Sequence, residues 1–200
     1  MKKKAIFGGT FDPIHNAHLN IAYKSLEKFK LDEVIFMPSG NPPHKDEEKV
    51  TPACVRYFMV KDAIKDIPKF KISDYEIEKG GVSYTYETLK YFSQKEKDVE
   101  WFFIAGLDSL MELETWKNTD VILKLCKFIA FNRPGYKRSQ VVEQKKHLEK
   151  KYSNGIAFLD IKPINISSTI IRQKIRRNEY IGDLVPKEIC DIIKNNKLYV

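Results

Sequence analysis

Two hundred residues, 42% of them hydrophobic and 31% charged, suit one soluble globular domain with a sizeable core, residues 1–200. No apolar run is long enough to cross a membrane, and the run after Met1-Lys2-Lys3-Lys4 is too short for a signal peptide, so no membrane role is expected. The net charge of +8 points to phosphorylated small molecules or to nucleic acid, while three scattered cysteines without CxxC pairing argue against a zinc site or a disulfide framework and fit the cytoplasm.

In chain order, Ala5-Ile6-Phe7 reads as a buried parallel strand. The loop Gly8-Gly9-Thr10-Phe11-Asp12-Pro13-Ile14 follows, and then a run with helical apolar spacing through Leu19, Ile21, Ala22, Leu26 and Phe29. Asn16 is the expected N-cap of that helix. Val34-Ile35-Phe36-Met37 is a second short strand. It is ended by the proline-rich loop Pro38 to Lys45, which carries Asn41, His44 and Lys45. Thr51-Pro52 opens a helix with Pro in its first turn, its apolar side made by Val55, Met59, Ala63 and Ile64. Phe70 to Ile77 alternates like an edge or half-buried strand.

After Gly80-Gly81, the stretch Ser83 to Leu89 starts another helix, with Ser83 or Thr85 as its cap. Trp101-Phe102-Phe103-Ile104-Ala105 is the most apolar run and is expected at the centre of the sheet. It ends in Gly106-Leu107-Asp108-Ser109. Phe128 to Phe131 and Ile156 to Leu159 are the remaining strands, the first ended by Asn132-Arg133-Pro134-Gly135. Between them, the basic segment Lys137 to Lys151 is interrupted by Glu143 and Glu149, which fits a solvated helix face. From about residue 167 the chain reads as helices only. Strands alternating with helices specify an α/β fold with a doubly wound parallel sheet.

Ligands of such sheets bind at the carboxyl ends of the strands. Gly8 and Gly9 are expected to let the backbone turn sharply there and let a ligand approach it closely. His15 and His18, three apart at a helix start, can point the same way. A helix N-terminus favours anions, so two imidazoles there suit phosphate oxygens. A second anion site of the same kind is offered by Ile164-Asn165-Ile166-Ser167-Ser168-Thr169-Ile170-Ile171-Arg172, hydroxyls at a helix start with an arginine one turn in.

The string at Gly8 to His18 resembles the signature of the HxGH nucleotidyltransferase superfamily, with Ala17 where the pattern has glycine. Ser167, Thr169 and Arg172 are similar to the S-x-T-x-x-R of its ATP-binding members. Along nearly the whole chain the likeness is to bacterial nicotinate-nucleotide adenylyltransferases. The pieces that carry it are GGTFDPIH, NPPHK at Asn41 to Lys45, SYTYETL at Ser83 to Leu89, GLDSL at Gly106 to Leu110, Trp116, NRPGY at Asn132 to Tyr136, and ISSTIIR.

The resemblance implies a Rossmann-like nucleotidyltransferase fold. It also implies AMP transfer from ATP to nicotinate mononucleotide with Mg²⁺ on the ATP phosphates, in NAD biosynthesis. His15, His18 and Arg172 are then the catalytic residues. ATP is expected on Gly8, Gly9, Thr10, Phe11, His15, His18, Gly106, Asp108, Ile166, Ser167, Ser168, Thr169 and Arg172. Asp108 suits the ribose hydroxyls. The pyridine mononucleotide is expected on Asn41, His44, Lys45, Tyr84, Thr85, Trp116 and Arg133, with Trp116 stacking on its ring.

No all-protein metal cage is expected, since Mg²⁺ commonly keeps waters and binds substrate phosphates. Another phosphorylated acceptor (nicotinamide mononucleotide, a flavin or a pantetheine phosphate) and a non-catalytic nucleic-acid-binding module are the alternative readings. No basic patch interleaved with aromatics supports the second, so no nucleic-acid partner is expected. The oligomeric state is open, a homodimer included.

Overall fold

The computed structural model describes residues 1–41, 50–132, 138–152, 155–162 and 164–200. Its strands are β1 (Lys2–Gly9), β2 (Glu33–Pro38), β3 (Phe70–Ile72), β4 (Val99–Gly106), β5 (Lys127–Phe131) and β6 (Ile156–Leu159). All pair in parallel in one sheet of order β3-β2-β1-β4-β5-β6. The direction of winding reverses between β1 and β4, the place where doubly wound sheets open a crevice.

The central strands lack hydrophobic alternation because both of their faces are covered. Ala5 and Phe7 of β1, Val34 and Phe36 of β2, and Phe102 and Ile104 of β4 enter one core. Ile6, Ile35, Met37, Trp101, Phe103 and Ala105 enter the other. The first core is closed by α1 (Asn16–Phe29), α2 (Ala53–Ile64), α8 (Ser168–Arg176) and α9 (Lys187–Asn195). The second is closed by α4 (Thr85–Lys95), α5 (Leu107–Met111), α6 (Thr119–Leu125) and α7 (Arg138–Tyr152). The C-terminal part thus returns across the face that carries α1 and α2.

Three local expectations are corrected. Phe70 to Ile77 is not one strand: β3 pairs with β2 only from Phe70 to Ile72, and α3 (Tyr75–Lys79) follows. The Ser73 hydroxyl accepts the N–H of Tyr75 at 3.2 Å and turns the chain. The helix then buries Glu76 against Thr88, whose hydroxyl donates to its Oε1 at 2.7 Å.

Pro52 is the N-cap of α2 rather than its first helical residue. The cap of α4 is Tyr84, with no side-chain cap bond, because the Ser83 hydroxyl accepts the N–H of Gly40 at 3.1 Å instead. The basic face of α7 carries acid partners: Lys145 pairs with Glu149, and His147 and Lys151 with Glu114. Cys54 and Cys190 are free, and the buried Cys126 donates through Sγ to the carbonyl of Ile122 at 3.4 Å.

Candidate active site

At the carboxyl ends of β1, β4 and β5, between the N-termini of α1 and α8, lies a cleft of about 520 Å³. β1 delivers Gly8 and Gly9 to its floor. Neither glycine takes a left-handed backbone, which corrects the expected sharp turn; that conformation belongs to Phe11, at φ +50°. Packing crowds both glycines. A Cβ on Gly9 stands 2.9 Å from the ring of Phe11, and one on Gly8 stands 3.1 Å from the ring of Phe103. The strained Phe11 is held in place edge-on to Phe7 at 5.5 Å and to His18 at 5.0 Å.

The N-cap of α1 is His15, not Asn16. His15 and His18 form a reciprocal capping box, in which His18 Nδ1 accepts the main-chain N–H of His15 at 3.3 Å. Asn16 is already helical, and its amide reaches out to the carbonyl of Asp183 at 3.0 Å. The box stacks the two imidazoles, centroids 3.6 Å apart and planes 17° apart. His15 is 5% exposed, so bulk water screens its ring little.

The second expected anion site closes the other wall. Ser167 caps α8 by accepting the N–H of Ile170 at 3.2 Å. The Ser168 hydroxyl donates to the carbonyl of Pro13 at 2.9 Å. Arg172 donates through Nη1 to the carbonyl of Asp12 at 2.7 Å and through Nη2 to Thr169 Oγ1 at 3.4 Å. The two motifs, at opposite ends of the sequence, therefore share one cleft and hold each other. Ile166, turned by its N–H on the carbonyl of Ile164, lines the same wall. Gly106, the N-cap of α5, and Asp108, in its first turn, line the far side.

The residues expected around the acceptor form a separate group beside this cleft. Asn41 bridges in parallel to Val82, and its carbonyl accepts the N–H of Ser83 at 3.2 Å. This places Tyr84 and Thr85, where α4 starts, against the end of β2. Trp116 stands edge-on to Phe103 at 6.2 Å, and Phe103 in turn covers Gly8. The aromatic layer is thus continuous from the cleft floor to Trp116. Beside it the Lys117 ammonium lies 4.4 Å from the Tyr84 ring centroid, a cation the sequence did not single out. His44, Lys45 and Arg133 lie outside the described residues.

Three further residues hold the cleft in shape. Arg56 is 1% exposed and spends its guanidinium on main-chain carbonyls. Burial lowers its pKa, and the charge of Asp12 opposes that shift. Asp12 is 3% exposed; its Oδ1 accepts the Tyr199 hydroxyl at 2.6 Å, so the last turn of the chain is tied to the β1–α1 loop. Burial, with Asp12 beside it, pushes the Tyr199 hydroxyl far above its ordinary pKa, which keeps it a donor. The one sequence signal for Arg56 was its place three residues before Met59, on the apolar side of α2.

A cytidylyltransferase-like family model matches residues 6–174. A probable nicotinate-nucleotide adenylyltransferase of Clostridium acetobutylicum is 74% identical over 200 residues, with 100% of each chain covered. The chain belongs to the nicotinate-nucleotide adenylyltransferase family. A second member, from Clostridium novyi, is 54% identical over 199 residues, with 100% of each chain covered. Among solved structures, Plasmodium falciparum nicotinic acid mononucleotide adenylyltransferase complexed with NaAD superposes with a TM-score of 0.81 at 20% identity, over 100% of this chain and 98% of that one. That likeness speaks for the fold of the nicotinate-nucleotide adenylyltransferases, a six-stranded parallel sheet covered on both faces. As a member of the family, the protein is a nucleotidyltransferase.

Proposed function

We propose that this protein transfers AMP from ATP to nicotinate mononucleotide, yielding nicotinate adenine dinucleotide and pyrophosphate. The observation that carries the reading is the cleft in which the stacked His15–His18 pair faces the α8 N-terminus with Arg172. Relatives 74% and 54% identical over the full chain carry the name of that activity.

The acceptor's phosphate oxygen, ionised at neutral pH, forms a bond to the α-phosphorus of ATP. The bond from that phosphorus to the bridging oxygen breaks, and pyrophosphate leaves with the electron pair. No proton has to be removed from the nucleophile, so the protein's task is positioning and charge neutralisation. His15 and His18 hold the α- and β-phosphate oxygens and the attacking phosphate. The N–H groups of Thr10 and Phe11 cradle the phosphates. Arg172, Ser168 and Thr169 steady the leaving end. Asp108 takes the ribose hydroxyls, and Gly106 leaves room for adenosine.

Asn41, Tyr84, Thr85 and Trp116 receive the pyridine nucleotide, together with His44, Lys45 and Arg133. Among the described residues there is no cluster of three metal-ligating side chains. The donors of the cleft suit phosphate oxygens, so Mg·ATP is the substrate form, its metal neutralising phosphate charge. The free thiols of Cys54 and Cys190 support a cytoplasmic setting. The acid partners of α7 favour a small-molecule enzyme over a nucleic-acid binder.

Pyrophosphate release is the test, measured with nicotinate mononucleotide, with nicotinamide mononucleotide and without acceptor. Release that depends on the nicotinate acceptor is expected. Release without any acceptor, or none with either, overturns the reading.

A further inference from the structure

We infer that Arg56 is a positioning residue that sets the distance between the nucleotide-holding loop and the acceptor-side loop. The inference rests on the adenylyl-transfer reading above. Arg56 Nη1 donates to the carbonyl of Thr10 at 2.7 Å, in the loop that follows β1. Nη2 donates to the carbonyls of Ser39 at 2.7 Å and Gly40 at 3.2 Å, in the segment that follows β2 and leads to Asn41. Nε donates to the carbonyl of Thr51 at 2.8 Å, just ahead of α2. One planar group thus gauges three stretches of main chain; the first two also meet where the Ser39 N–H donates to the Gly9 carbonyl at 2.9 Å.

The chemistry of the site supports a geometric role over a merely cohesive one. No described carboxylate lies within ion-pair distance of Arg56, and 1% exposure leaves it almost no water. Burying a guanidinium with only carbonyl partners is costly, and apolar groups of similar volume generally stabilise such places as well or better. A rigid fork offers what they cannot: fixed angles between its bonds. Asp12 extends the brace, since its Oδ2 accepts the Thr51 N–H at 3.4 Å.

In-line transfer needs the reacting atoms about 3–3.5 Å apart, and a 1 Å misplacement costs roughly a hundredfold. A brace between the two subsites acts on that separation, while each subsite keeps its own contacts. Gly40 shows how tightly its segment is set: a Cβ there collides with the main-chain oxygen of Glu76.

The test compares full-length wild type with Arg56→Lys and Arg56→Met. Binary affinities for Mg·ATP and for nicotinate mononucleotide are measured by calorimetry, and kcat by pyrophosphate release. The expected result is kcat lower by about a hundredfold in both variants, with each binary Kd within about threefold of wild type. A residue that merely holds the fold together moves the melting temperature and both affinities together. Either kcat within about threefold of wild type, or one Kd raised more than about tenfold at unchanged kcat, overturns the inference. If Arg56→Met does not fold, Arg56→Lys, which keeps charge and stem, carries the comparison. Loss of folded protein in both makes Arg56 a determinant of the fold and overturns the positioning role. An inactive wild type refutes the adenylyl-transfer reading itself; an active wild type matched by its variants refutes only the inference about Arg56.

Discussion

The guanidinium of Arg172 donates to the main-chain oxygen of Asp12 at 2.7 Å, across 160 positions of sequence. The same side chain therefore shapes the β1–α1 loop and lines the cleft with its remaining donors. Arg172→Lys keeps the charge and loses the fork that serves both purposes. A hydrogen bond to a charged group contributes about 1.5–3 kcal/mol, so kcat/KM for ATP should fall roughly ten- to hundredfold. The KM for the acceptor should stay within about twofold. Steady-state kinetics with each substrate varied in turn checks this; a change confined to the acceptor moves Arg172 to the other subsite.

His18 both caps α1 and faces the cleft. His18→Ala should lower kcat by about two orders of magnitude, the usual effect of removing one preorganised donor at developing charge. Loss of the cap should cost only about 1 kcal/mol, a few degrees in Tm for a chain of this size. Kinetics and a thermal melt on the same sample separate the two effects. Activity within about threefold of wild type refutes the phosphate role.

Glu76 makes stability depend on pH. Burial raises its carboxyl above the ordinary range, against the hydrogen bonds from Thr88 and Ser83 that lower it. The folded chain therefore keeps this proton to higher pH than the unfolded chain does. Below the unfolded carboxyl's range both states are protonated, and the group contributes no difference. As pH rises through the raised folded value, the unfolded state gains and stability falls. Glu76→Gln removes the titration. The Tm of the variant minus that of wild type should increase from pH 4.5 to pH 8; a flat difference contradicts the burial argument.

The acceptor side should discriminate acid from amide. Glu87, the carboxylate nearest in sequence to the start of α4, is held by Lys79 at 2.6 Å and by the Tyr86 hydroxyl at 2.8 Å, and Glu76 is engaged by Thr88 at 2.7 Å. Hydroxyls, main-chain N–H groups and the cation of Lys117 remain near Tyr84 and Thr85. An amide NH₂ placed among donors leaves a group unpaired at about 1–3 kcal/mol. We expect kcat/KM for nicotinate mononucleotide to exceed that for nicotinamide mononucleotide by at least about tenfold at saturating Mg·ATP. Equal values mean that the pocket presents acceptors not yet located.

What could be read along the chain was whatever local chemistry expresses. Continuous apolar runs such as Trp101 to Ala105 announce strands buried on both faces, because a two-sided layer leaves no polar alternation to see. Glycines, histidines and hydroxyls at strand ends and helix starts announce anion sites, because backbone donors are unpaired there. That logic singled out residues from Gly8 to Arg172 that the fold gathers along one cleft.

Contacts between distant segments were decided only by the tertiary structure. Asn16 is the better cap by residue type, yet His15 holds the position, since Asp183 claims the Asn16 amide and His18 completes a box with His15. Ser83 looked like a cap and instead serves Gly40, 43 positions away. The strand expected from Phe70 to Ile77 stops at Ile72, where an edge position offers one partner strand and Ser73 offers a turn. Arg56 stands on the apolar side of α2 by spacing, but nothing local names its partners, and packing leaves it 1% exposed among four carbonyls. Periodicity and capping chemistry act over a few residues and are written locally. The pairing of a buried charge depends on which loops the fold brings to it, and only the folded chain settles that.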